Sequence, residues 1–238
     1  MKFPKTISIL LLFTIFGTTL PAQEVAKPDP IAIVKNCIAA MGGESFLRSI
    51  TTLYSNMKTE MEGRAVNYIT KELLPNKGSF KIVYKGRTVF QNWFDGKTAF
   101  ETVNGEVKKA DLAEFKDKFD RKNIFNELDW IMPELWTLEF LGEEKVGEKD
   151  CYKIRAKRKS GLVQLLYFDK ESKLLLRDDK VEDINKNSFA TTLYMAYKKY
   201  SGLTFASEMK IGDKDSSQIL TVVELKINSD VSEADFRP

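Results

Sequence analysis

The chain has 238 residues, 43% apolar and 30% charged, with 37 basic against 34 acidic side chains and a formal net charge of +3. Acids and bases alternate along it, so no basic stripe is available to a nucleic acid, and Lys108-Lys109 and Lys157-Arg158-Lys159 read as solvated turns. Histidine is absent, which removes Ser-His-Asp and Cys-His nucleophiles, the usual general base and the commonest zinc ligand.

Met1 to Gln23 has a basic start (Lys2, Lys5), an apolar core of ten residues from Ile7 to Phe16, and a polar run ending Thr19-Leu20-Pro21-Ala22-Gln23. That is the layout of a secretory signal peptide cleaved after Ala22, since a membrane-spanning helix needs roughly 20 apolar residues. Cleavage removes two lysines and no acid, so the charge of the mature chain falls from +3 to +1. No cysteine stands directly after the cleavage region, the first being Cys37 in a later helical pattern, so lipid attachment is not expected, and the mature chain is expected to be soluble in an exported compartment. Glu24 to Pro30 is a leader. Ile31, Val34, Ile38 and Met41 then recur at helical spacing, with Asp29 as cap, Pro30 in the first turn and Gly42-Gly43 as the stop. Ser45 to Ile50 predicts a second short helical turn. Cys37 and Cys151 are the only thiols, and either two buried free thiols or a disulfide is compatible with their placement.

Strands are predicted for Thr51–Met61, Ala65–Leu74, Gly78–Lys85, Thr88–Phe94 and Lys97–Val103. They are separated by Glu62-Gly63, Pro75-Asn76-Lys77, Lys85-Gly86, Asp95-Gly96 and Asn104-Gly105, several of them strong hairpin signals. Lys109 to Leu141 breaks this rhythm: Leu112, Phe115 and Phe119 share one helical face, Ile124, Phe125 and Leu128 another, and Pro133 stops any continuous helix. Leu141 to Asp179 reads as four short antiparallel strands with turns at Val146–Asp150, Lys159–Gly161 and Asp169–Lys173. Further strands follow over Phe189–Tyr200, Thr204–Ile211 and Gln218–Ile227. About a dozen strands without αβ alternation argue for one curved antiparallel sheet in a single domain, residues 23–238, since so many twisted strands do not stay flat.

Chemistry-bearing motifs are missing: there is no GxSxG, phosphate loop, HExxH or paired-cysteine metal spacing. The acid pairs Glu143-Glu144, Asp178-Asp179 and Glu182-Asp183 fall in or beside turns, where a solvated face is the expected role. No catalytic residue, metal or cofactor is therefore assigned. What stands out is aromatic: Phe80, Tyr84, Phe90, Trp93, Phe94 and Phe100 in the early strands, and Phe115, Phe119, Phe125, Trp130 and Trp136 in the insertion. Such residues either fill a core or line a cavity, and strand parity alone does not say which face is concave.

Several segments resemble the outer-membrane lipoprotein-sorting (LolA/LolB-like) superfamily of the bacterial cell envelope. They are IAAMGGESFLRSITTL, NWFDGKTAFETVNGE, LGEEKVGEKDCYKI with YFDKESKLLLR, and the tail YSGLTFASEMKIG with VVELKINSDVSEADFRP, through Gly202, Asn228, Phe236 and Pro238. Phe100 or Ala99 stands where the family has tryptophan, and Ala206 or Phe205 where it has proline. The resemblance implies a mainly β protein with helices (α+β), a curved antiparallel half-barrel of about eleven strands with a helical plug. It implies a periplasmic, monomeric, non-enzymatic carrier for acyl chains of lipoproteins or lipids, loaded or unloaded by envelope membrane proteins. The ligand-binding set is then Phe80, Tyr84, Phe90, Trp93, Phe94, Phe115, Phe119, Phe125, Trp130 and Trp136. Arg64 is the nearest match to the arginine that couples cavity and lid in family carriers, and the insertion is the lid, with Pro133 as its hinge. The alternative is an envelope interaction or sensor module on the same fold with a filled core.

Overall fold

The structure, a computed structural model, describes residues 27–183, 188–212 and 217–238. The expected signal peptide, residues 1–22, lies outside them. Helix α1 (Pro30–Met41) starts where the Asp29 carboxylate accepts the Ile31 N–H at 3.0 Å, and Pro30 pre-sets φ in the first turn. Its buried stripe is Ile33, Val34, Cys37, Ile38 and Met41, so it is rotated from the expected one and leaves Ile31 exposed. Gly42, at φ 139°, ends it, and the Gly43 N–H bonds the Ile38 carbonyl at 2.9 Å. A Cβ at Gly42 would lie 2.8 Å from the Phe46 ring and 3.1 Å from the Gly202 carbonyl, so glycine is what lets α1 pass directly into α2 (Glu44–Ser49).

All thirteen strands lie in one antiparallel sheet: β1 (Thr52–Met61), β2 (Arg64–Leu73), β3 (Lys77–Tyr84), β4 (Arg87–Phe94), β5 (Ala99–Val103), β6 (Glu106–Lys109), β7 (Trp136–Val146), β8 (Lys149–Arg158), β9 (Val163–Asp169), β10 (Leu175–Asp183), β11 (Ser188–Tyr200), β12 (Leu203–Ile211) and β13 (Gln218–Ile227). The turns Glu62-Gly63, Lys85-Gly86 and Asn104-Gly105 have positive φ at both positions, the backbone twist that suits a two-residue hairpin. The strand missed by the sequence reading is β6. Its four residues are all exposed, and only pairing with β5, Phe100 opposite Lys109 and Val103 opposite Glu106, makes them a strand.

Sheet order is β6-β5-β4-β3-β2-β1-β13-β12-β11-β10-β9-β8-β7. Two meanders thus meet at β1 and β13, and the two free edges, β6 and β7, are consecutive in the chain. The segment joining them, residues 110–135, must cross from one edge of the curved sheet to the other. It does so as a 3-10 turn at Leu112–Phe115, a short helix α3 (Asn126–Trp130), and irregular chain between them. The long helical faces expected here do not form, because residues 116–125 carry no regular helix. Pro133 sits in the turn between α3 and β7.

Three apolar clusters result. The largest joins α1, α2 and α3 to β7–β9, around Val34, Ile38, Leu128, Trp130, Ile154, Leu166 and Phe168. A second lies on β1, β2 and β13, around Met57, Val66, Tyr68, Leu220 and Val222. A third, Phe94, Ala99 and Phe115, pins the insertion to β4 and β5. Burial at roughly 25 cal/mol per Å² of apolar surface holds each together, and half-buried Phe205 and Leu225 pack against both the first and the second. Cys37 and Cys151 are buried and unpaired.

Candidate binding cavity

Between the helical plug and the second cluster the interior is hollow. A cavity of about 300 Å³ is bounded by Leu53 and Met57 of β1, Met41 of α1, Phe125 beside α3, Leu175 of β10, and Phe205 and Met209 of β12. The strand residues arrive there by alternation. Leu53, Ser55 and Met57 share one face of β1, opposite Glu72, Thr70 and Tyr68 of β2, so the even spacing that builds a sheet also builds the wall. Its volume lies at the low end of the range that ligand sites occupy.

One side of the wall is polar. Ser55 and Thr70 hydroxyls pair at 2.6 Å, and the Tyr197 hydroxyl donates to the Leu175 carbonyl. Glu72 bonds Lys118 and lies 3.8 Å from an Arg121 terminal nitrogen, so residues of the insertion are tied electrostatically to β2. Burial lowers the Lys118 pKa, against the raising effect of Glu72. Glu127 keeps some free surface although protein surrounds it, because that surface faces the cavity; burial pushes its carboxyl up, toward the neutral form. Burial raises the Tyr194 and Tyr197 hydroxyls too. Among the described residues no group of three or more His, Cys, Asp or Glu could hold a metal.

Of the aromatics singled out from the sequence, Phe125 lines this cavity. Trp136 lines a smaller polar pocket of about 60 Å³ beside it, and Trp130 is core, edge-on to Phe168 with its indole N–H on Gln164. Phe94 packs against Phe115 and Phe119, and Phe119 also borders an outer cleft with Lys116 and Lys180. Phe80 packs edge-on to Tyr68, 6.2 Å from Phe90, while Tyr84 joins the second cluster and lies 5.9 Å from the Arg64 guanidinium. Trp93 pairs with Phe100 on the opposite face of the sheet, stacked at 5.5 Å. Neither Arg64 nor these β3–β4 aromatics border the cavity, and the arginine in its wall is Arg121, from the insertion. Leu53, Met57, Tyr194, Tyr197 and Met209 also line the cavity and are not among the residues that the sequence singles out. Alternation along β1 held part of the signal, but the irregularities in register at Tyr194–Tyr197 erased it in β11.

A curved open sheet, plugged by helices and hollow beneath them, defines a half-barrel. The chain has a LolA-like fold. It superposes on a LolA superfamily protein from Nitrosomonas europaea with a TM-score of 0.60 at 11% identity, covering 89% of this chain and 99% of that one. A DUF1329 family protein from Desulfovibrio piger gives 0.59 at 16% identity, over 88% and 98%. A putative outer membrane lipoprotein-sorting protein domain from Vibrio parahaemolyticus gives 0.57 at 14% identity, over 87% and 95%. No family model matches the sequence, and no curated protein matches it.

Proposed function

We propose that the protein is an exported, periplasmic carrier that holds an apolar tail, from a lipid or from the acyl chains of a lipoprotein, non-covalently in the cavity under α1 and the insertion. The observation that supports this most is the hollow itself: Leu53, Met57, Phe125, Leu175 and Met209 face unfilled space. An interaction module with a solid interior would gain stability by filling it. A bound hydrocarbon gains roughly 0.8 kcal/mol per methylene removed from water, which is the driving force for keeping a tail out of solution. The insertion runs from sheet edge to sheet edge, so a shift of it would open the cavity without breaking strand pairing. The structural relatives supply the fold, and one of them is described as a putative outer membrane lipoprotein-sorting protein domain.

Purified protein stripped of lipid should bind a neutral, polarity-sensitive fluorescent probe and release it to long-chain amphiphiles, and native mass spectrometry of unstripped protein should show a bound lipid mass. Protein that takes up neither probe nor lipid would overturn the reading.

A further inference from the structure

Beside the apolar cavity, and sharing Arg121 and Asn126 with it, lies the pocket of about 60 Å³ bounded also by Asp117, Asp129, Trp136, Arg158, Leu162 and Gln164. Arg158 is 3% exposed. One of its terminal nitrogens donates to the Asp117 carbonyl at 2.7 Å; its Nε, 3.9 Å from an Asp120 oxygen, and its Nη2 have no hydrogen-bond partner among the described residues. Arg121 Nε and Trp136 Nε1 are likewise unpartnered. The acids in this wall already have donors: Asp129 accepts from Asn123 at 2.8 Å and from the Lys122 N–H at 3.3 Å, and Asp117 bonds Lys180. The groups left without a partner on the side chains that line this pocket are therefore donors, two of the side chains being guanidinium. Buried donors of this kind call for an acceptor, and guanidinium is matched best by an oxyanion. The pocket has space for a few water-sized atoms, as a carboxylate or phosphate head requires.

We infer that the ligand is a single-tailed anionic amphiphile, its tail in the apolar cavity and its carboxylate or phosphate head on Arg158, Arg121 and the Trp136 indole N–H. This rests on the lipid-binding reading and adds the chemistry of the head group.

The test is release of the bound neutral probe by dodecanoate, dodecyl phosphate, dodecanol and inorganic phosphate. Dodecanoate and dodecyl phosphate should compete at concentrations about ten-fold lower than dodecanol, the worth of one charge-assisted hydrogen bond or more, and inorganic phosphate should not compete. The advantage of acid over alcohol should shrink in Arg158→Gln, and in Arg121→Gln and Trp136→Phe, which keep the test open should the buried Arg158 variant fail to fold. Equal competition by acid and alcohol would overturn the head-group assignment, leaving a water-filled pocket and the carrier intact. Binding of inorganic phosphate as tight as that of the amphiphiles would also overturn it, in favour of a free-anion site. If no dodecyl compound competes, the carrier reading falls as well.

Discussion

Replacing Met209 with tryptophan would put an indole into the hollow. Met209 lies on β12 opposite Leu220, packs on the second cluster and borders the cavity. The hollow of about 300 Å³ is partly open to solvent, so the ~24 cal/mol per Å³ that applies to enclosed apolar cavities is an upper bound on what filling it returns. Glu72, Arg121, Glu127 and Thr204 make this wall partly polar and wet, so less is recoverable, and one indole in place of a thioether should return about 1–2 kcal/mol. The urea midpoint of Met209→Trp should therefore rise with its slope unchanged, while affinity for the neutral probe falls about ten-fold or more. Opposite shifts in stability and binding are what a void retained for a ligand predicts. Destabilisation by more than about 1 kcal/mol would mean the wall is already closely packed. Added stability with unchanged affinity would place the ligand elsewhere. Either result refutes the reasoning.

Asn228, in a left-handed conformation at φ 55°, accepts the Thr51 and Thr52 N–H groups at 2.7 and 3.3 Å and donates to the Ser49 carbonyl at 3.0 Å. Asn228→Ala should cost about 2 kcal/mol in chemical denaturation, with probe affinity unchanged in the folded protein. Burial first, then neighbouring Asp179, pushes the Asp178 carboxyl up to about 7, and its Oδ1 has no hydrogen-bond partner among the described residues. The neutral acid suits the fold, so its contribution is present below about pH 4 and lost as pH rises to about 7; Asp178→Asn should be a few kcal/mol more stable than the parent at pH 8 and close to it at pH 4. Denaturation midpoints at the two pH values check this, and an equal gap at both would refute it. Cys37 and Cys151, 1% and 0% exposed, with burial raising both thiols and Cys151 to about 11, should react with a thiol reagent only once the chain is unfolded.

Local signals in the sequence were strong enough to specify local structure. Asp29, Pro30 and Gly42-Gly43 bound α1 because capping and left-handed backbone are properties of single residues. Glu62-Gly63, Lys85-Gly86 and Asn104-Gly105 close hairpins for the same reason. β6 was not legible, since Glu106–Lys109 has no apolar alternation and is a strand only through its partner. Asn228 has a plain role as a clasp between the end of β13 and the start of β1.

The site was legible in part. Aromatic abundance pointed to packing groups without saying which void they border: Trp93 and Phe94 are neighbours in sequence, yet strand alternation sends them to opposite faces of the sheet. By itself the sequence determined the strand meander, the first helix and its caps, and the absence of histidine chemistry, because those depend on residue type and short spacing. Tertiary structure alone decided that β1 pairs with β13, that the segment between β6 and β7 therefore spans the concave side, and that Arg121 and Arg158 meet at one pocket. Such contacts join residues far apart in the chain, and their geometry comes from the curvature of the whole sheet.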